Sequence, residues 1–234
     1  MNQFLMPLFC LFAFVNGYSQ QTELETLMKQ DWANLSKYSA DNEQLKSELS
    51  ENAVIFMGNS ITEGWVNFSP KFFSDNNYIG RGISGQTTPQ MLIRFMPDVI
   101  DLHPKAVVIL AGTNDIAGNT GFSSLKMIAD NIKAMAQLAT ANDIKVILCS
   151  VLPVYEYPWR TSVKPIEKIL EINNWLMAYA GENGFVYLDY YSEMVDKKKG
   201  LKSEFSEDGV HPNKNGYSIM ETLVQNAIEK ALNQ

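Results

Sequence analysis

Short apolar runs alternate with longer stretches of helical periodicity along most of the chain. Ala53–Met57 (AVIFM) is apolar throughout and closed by Gly58, the pattern of a strand covered on both faces. Ala106–Ala111 (AVVILA) and Lys145–Val151 (KVILCSV) repeat it, closed by Gly112 and by Leu152-Pro153. Asn77–Gly80 predicts a short strand between the first two, and Phe185–Leu188 a last one. Leu125, Ile128, Ile132, Met135 and Ala139 form one helical stripe. Ile166, Ile169, Leu170, Ile172, Leu176 and Tyr179 form a second, and Tyr217–Leu232 reads as a terminal helix. Gln21–Ser50 is polar and helix-friendly, with Leu24, Leu27 and Met28 at helical spacing. Strands alternating with helices predict right-handed parallel βαβ units. The expected architecture is a three-layer α/β/α sandwich around a five-stranded parallel sheet.

Phe4–Val15 departs from this pattern. As a helix it is too short to span a bilayer, which takes about 20 apolar residues. Its length, and the small and polar residues Asn16-Gly17-Tyr18-Ser19-Gln20 behind it, predict a secretory signal over residues 1–20, cut near Ser19–Gln21. The segment carries no Lys or Arg, the first basic residue being Lys29. Cys10 lacks the flanking residues of a lipoprotein box, so no lipid anchor is expected. The expectation is export to the periplasm or medium, with residues 21–234 as one domain and no stable membrane insertion. The mature chain would keep one cysteine, Cys149, in an apolar run where a buried thiol is expected.

Composition narrows the function. The chain has 234 residues, 46% of them apolar, enough for a sizeable core. Lys and Arg total 19 against 26 Asp and Glu, a formal charge of −7, which excludes a basic footprint for nucleic acid and strong attraction to anionic lipid. Of the two histidines and two cysteines, Cys10 lies in the expected signal, which leaves three, too few for a four-ligand Cys/His zinc cluster, and no metal or cofactor is expected.

Ligands of open parallel sheets bind beyond the carboxyl ends of the strands. Four segments there carry reactive or permissive residues: Gly58-Asn59-Ser60-Ile61-Thr62, Arg81-Gly82-Ile83-Ser84-Gly85-Gln86, Gly112-Thr113-Asn114-Asp115 and Asp208-Gly209-Val210-His211. A serine hydroxyl needs a base to become a nucleophile. His211 is suited to that task, and Asp208, three residues earlier, can orient its imidazole. Each residue alone has an ordinary structural use as a cap or turn former. Their convergence on one end of the sheet is what those uses leave unexplained.

In these four segments the chain resembles the SGNH hydrolase superfamily, the GDSL-type esterases and lipases. Ser60, Gly85, Asn114 and the pair Asp208/His211 stand in the order of the family's four blocks, from about residue 53 to residue 212. The resemblance implies a flavodoxin-like sheet and a serine esterase with an acyl-enzyme. Its catalytic residues would be Ser60, Asp208 and His211, and its oxyanion donors the N–H groups of Ser60 and Gly85 and the amide of Asn114. Asn59 departs from the family's Gly-Asp-Ser, at a position outside the triad. Trp65, Arg81, Tyr157, Trp159 and Arg160 lie near loop ends on the same side and are expected substrate contacts. A small acyl group on a carbohydrate is the first expectation for the substrate. Lysophospholipid or thioester hydrolysis, acyl transfer to an alcohol, and a non-catalytic carbohydrate-binding module are the alternatives. The oligomeric state is not legible.

Overall fold

The computed structural model describes residues 30–48 and 52–234; the expected signal and the positions Leu24, Leu27 and Met28 lie outside them. The sheet consists of β1 (Val54–Gly58), β2 (Tyr78–Gly82), β3 (Ala106–Leu110), β4 (Lys145–Cys149) and β5 (Val186–Leu188). Every pair is parallel, as expected from the sequence, and the order is β2-β1-β3-β4-β5. β1 therefore runs between β2 and β3, with Gly58 in register with Gly82 on one side and Leu110 on the other. The chain leaves β1 toward one edge and returns past it to β3, so the β1–β3 boundary is the crevice where such sheets bind ligands.

The unbroken apolarity of the central strands follows from having no solvated face. Ile55, Met57, Val107, Ile109, Val146 and Leu148 point into one core. That core is completed by α4 (Thr88–Asp98), α6 (Leu125–Thr140) and α7 (Ile166–Asn183). Val54, Phe56, Val108, Leu110, Ile147 and Cys149 point into the other. It is covered by α2 (Ser60–Phe68), α3 (Pro70–Ser74), α8 (Tyr190–Met194) and α9 (Lys214–Leu232). α1 (Ser39–Glu48) precedes the sheet, and α5 (Thr113–Ala117) is one short turn beyond β3. The two periodic stripes bury as expected at Ile128, Ile132, Met135 and Ala139 and at Ile169, Ile172, Leu176 and Tyr179.

Strand ends differ from the apolar runs for local reasons. β3 stops at Leu110 because Gly112 turns the chain at φ +117°. β4 stops at Cys149 although Val151 is buried. There the Asn173 side chain of α7 accepts from Val151 N–H (2.8 Å) and donates to its carbonyl (3.0 Å), replacing a neighbouring strand. β2 runs on past Gly80 to Gly82, where it can approach α2 closely: a Cβ on Gly82 would collide with the backbone N of Glu63 and come 2.7 Å from Asn59 O. Among the described residues no helix is long and apolar enough to cross a membrane. Cys149 is a free, fully buried thiol.

Candidate active site

Ser60 opens α2, and the turn that presents it is fixed by its neighbours. Asn59 is buried and caps the helix, its Oδ1 accepting from Ile61 N–H at 3.0 Å. An amide caps a helix about as well as a carboxylate, so the departure from Gly-Asp-Ser leaves this turn intact.

The Asp208–His211 segment reaches Ser60 as a closed loop. Asp208 Oδ1 accepts from the backbone N–H of Val210 (2.9 Å) and of His211 (2.8 Å). Ser206 Oγ donates to His211 O (2.7 Å) and accepts from Gly209 N–H (3.0 Å). A one-residue bridge joins Ser206 to Pro212. Behind the loop, α9 packs on α2, with Tyr217 Oη donating to Ile61 O at 2.8 Å. The result is a chain of contacts. Ser60 Oγ lies 2.9 Å from His211 Nε2, and His211 Nδ1 lies 2.7 Å from Asp208 Oδ2. Burial pushes the Asp208 carboxyl up, but the hydrogen bonds from the His211 ring and backbone and from Val210 outweigh it and hold it at about 2. An ionised Asp208 accepts the hydrogen bond of the Nδ1–H, which leaves the Nε2 lone pair facing the serine hydroxyl.

Gly85 sits in an exposed turn after β2 at φ +78°, with nothing within 4 Å of where a Cβ would stand. Its carbonyl accepts from Asn119 Nδ2 at 3.4 Å. Asn114 is buried at the start of α5, and its Nδ2 donates to Gln86 O at 2.9 Å, tying the β3 loop to the β2 loop. Asp115 receives the N–H of Thr88 (3.1 and 3.0 Å) and its hydroxyl (2.6 Å). It thereby caps α4, the helix before it in the chain. Burial pushes its carboxyl up to about 6 against those hydrogen bonds.

The expected substrate contacts divide. Trp159 is exposed, with its ring 6.2 Å from that of His211 and its Nε1 donating to Asn119 Oδ1 at 3.2 Å. Arg160 is also exposed and donates from Nη1 to Gly118 O at 2.7 Å. Trp65, Arg81 and Tyr157 do not face a substrate. Trp65 is 1% exposed, stacked on Phe72 and Tyr217 and edge-on to Phe56 beneath α2. Arg81 is buried between Asp41 (2.6 Å) and Asn42 (3.0 Å). Tyr157 points inward, where its hydroxyl donates to Thr113 O at 2.9 Å. A cleft of about 460 Å³ adjoins His211, lined by Phe68, Glu207, Asn213, Lys214 and Asn215 among others. On the other side of the loop, a cleft of about 410 Å³ lies against Asp208 and Tyr155. Among the described residues no group of three or more His, Cys, Asp or Glu side chains could hold a metal ion.

Sequence reasoning missed the supports beneath the site. Arg94 is fully buried in α4 and joins three segments. Its Nε donates to Gln86 Oε1 (2.6 Å), Nη1 to Asp98 Oδ2 (2.7 Å), and Nη2 to the carbonyls of Gly58 and Arg81 (2.9 Å each). The last two are the ends of β1 and β2, just ahead of Ser60 and Gly85. The i,i+4 spacing of Arg94 and Asp98 was the available signal.

Comparison with known proteins identifies the family. Residues 56–219 match the model of the GDSL-like lipase/acylhydrolase family. A crystal structure of a candidate acylhydrolase from Bacteroides fragilis is similar at 49% identity and TM-score 0.83, over 87% of this chain and 100% of that one. A GDSL-like lipase from Bacteroides thetaiotaomicron is similar at 49% identity and TM-score 0.82, over 86% and 100%. An uncharacterized lipoprotein of Bacillus subtilis, YqeF, is 33% identical over 96 residues, 39% of this chain and 40% of that protein's length. The chain belongs to the GDSL-like lipase and acylhydrolase family, and is an ester hydrolase of the SGNH type.

Proposed function

We propose that the protein is an exported serine esterase that removes short acyl groups, acetyl above all, from carbohydrates. The observation that carries the chemistry is the 2.9 Å contact of Ser60 Oγ with His211 Nε2, with Asp208 2.7 Å behind the ring. In the reaction Ser60 Oγ attacks the ester carbonyl while its proton passes to Nε2. The N–H groups of Ser60 and Gly85 and the free N–H of the Asn114 amide hold the resulting oxyanion. The carbon–oxygen bond to the alcohol then breaks, the alcohol leaving with the proton from His211. Water repeats the sequence on the acyl-serine, losing its proton to His211 and releasing the acid and Ser60. Asp208 keeps the imidazole in the useful tautomer and balances its charge when protonated.

The substrate preference rests on the surroundings of His211. Trp159 offers an exposed ring beside the imidazole, and the adjoining cleft sets Glu207, Asn213, Lys214 and Asn215 beside Phe68 and Pro212. An aromatic face with polar neighbours suits a sugar ring better than an acyl chain. Export is supported by the apolar run Phe4–Val15 and by the lipoprotein relative.

Hydrolysis of p-nitrophenyl acetate by wild type and Ser60→Ala tests the nucleophile, and equal rates in the two would refute it. Acetylated sugars, p-nitrophenyl esters of rising chain length and lysophospholipids then test the substrate class. Trp159→Ala should raise KM on acetylated sugars several-fold and leave p-nitrophenyl acetate within about twofold. Preference for long acyl chains or lysophospholipid would refute the carbohydrate reading.

A further inference from the structure

We infer that Glu63 is a positioning residue for the Gly85 turn, itself held by Lys37. The inference rests on the reading of Gly85 N–H as an oxyanion donor. Glu63 lies one turn after Ser60 on α2. Its Oε2 accepts from Ser84 N–H at 2.8 Å and from the Ser84 hydroxyl, and its Oε1 is paired with Lys37 Nζ. The helix that carries the nucleophile thus also carries the anchor of the residue before Gly85. Any movement of Ser60 takes the turn with it, and the Ser60 and Gly85 amides stay in one frame.

The turn needs such an anchor. Gly85 is exposed, and glycine reaches positive and negative φ at similar cost, so the Ser84–Gly85 peptide could flip and turn its N–H away. Charge-assisted bonds to a carboxylate are among the stronger hydrogen bonds available at a surface. They act on one side of the peptide, while Asn119 holds the Gly85 carbonyl on the other. The segment ahead of β1 contributes more than Lys37: Tyr38 Oη donates to Gly82 O at 2.5 Å, and Ala33 O accepts from Gln86 Nε2 at 2.7 Å. Residues 33–38 precede the stretch that matches the family model, so this brace is added to the core of the fold.

The test uses the full chain and p-nitrophenyl acetate, with phosphorylation of Ser60 by diethyl p-nitrophenyl phosphate as a second readout, because its P=O oxygen occupies the oxyanion site. Removing a whole oxyanion donor costs about a hundred- to a thousandfold. Glu63→Gln, which leaves the donor present but unanchored, should lower kcat about ten- to fiftyfold with KM within twofold. It should slow phosphorylation in proportion. Lys37→Met should lower kcat several-fold and Lys37→Arg should restore it. Both Glu63→Gln and Lys37→Met within twofold of wild type in kcat would overturn the inference, as would a rise in KM at unchanged kcat. If Glu63→Gln melts early, the exposed Lys37 pair of variants decides alone. An inactive Ser60→Ala beside a fully active Glu63→Gln defeats only this inference, whereas a fully active Ser60→Ala defeats the esterase reading with it.

Discussion

Replacing Arg94 with methionine tests whether the polar layer under the site holds the fold together. The guanidinium is 0% exposed and Asp98 is 2% exposed, so the pair has little water to fall back on. Asp98 would keep only the Asn42 amide, which donates to its Oδ1 at 2.8 Å. Breaking a buried ion pair from one side costs about 3–5 kcal/mol. Gly58 O would keep the Ile83 N–H at 3.2 Å, but Arg81 O would lose a donor, and a buried polar group left unsatisfied costs about 1–3 kcal/mol. A total of about 4–8 kcal/mol is a large share of the ~5–15 kcal/mol that holds a domain folded. At about 2–4 °C per kcal/mol for a chain of this size, the midpoint should fall by about 10–30 °C. Thermal and urea unfolding measure the loss, and a cycle with Asp98→Asn should show a coupling of a few kcal/mol between the two residues. A loss below about 1 kcal/mol, or additive effects in the cycle, would refute the reasoning.

Asp208→Asn should fold normally by circular dichroism yet lose about three to four decades of kcat, because an amide stabilises the wrong imidazole tautomer. Full activity would reduce Asp208 to a turn former. Asp115 should make stability depend on pH with a negative slope. Burial raises its carboxyl to about 6, above the ~3.9 of an unfolded chain, so between those values the native state holds a proton that the unfolded state has released. Its penalty is absent below about pH 4 and reaches a few kcal/mol above about pH 6. Urea midpoints at pH 4.5 and 7 should therefore differ less in Asp115→Asn than in wild type, and equal differences would dismiss the assignment. Gly82→Ala should destabilise the fold by several kcal/mol, because the added methyl meets the backbone of the turn carrying Ser60, which cannot rotate aside. A wild-type melting curve would show that β2 can shift away.

The sheet was legible because burial on both faces writes itself into composition: β1, β3 and β4 are apolar at nearly every position. α4 was not legible. Pro89 and Pro97 bracket it, and its inward face carries Arg94 and Asp98 beside Met91 and Phe95, so no clean apolar stripe survives. Arg94 is tolerated there only because three acceptors from three other places in the chain, and Asp98, surround it, and none of that is visible locally. Three of the five expected substrate contacts turn away from the site for a related reason. Position near a loop end says nothing about direction, and Trp65, Arg81 and Tyr157 all turn inward, where the aromatic ring or guanidinium completes a core or a polar network.

The residues of the site were legible as types, but not the route by which they meet. Ser60, Gly85 and Asn114 follow three adjacent strands, so the sheet alone brings them close. His211 is different. β5 lies at the far edge of the sheet, with β3 and β4 between it and β1, so position after β5 would leave the histidine remote from the serine. The chain instead returns across that face through α8 and the residues that follow, and α9 seats itself against α2. Tyr217 is the contact that sets the approach: it is buried, stacked on Trp65 and bonded to the Ile61 carbonyl one residue past Ser60. Trp65, misread as a substrate contact, thus acts underneath, as the surface on which the helix following His211 is docked.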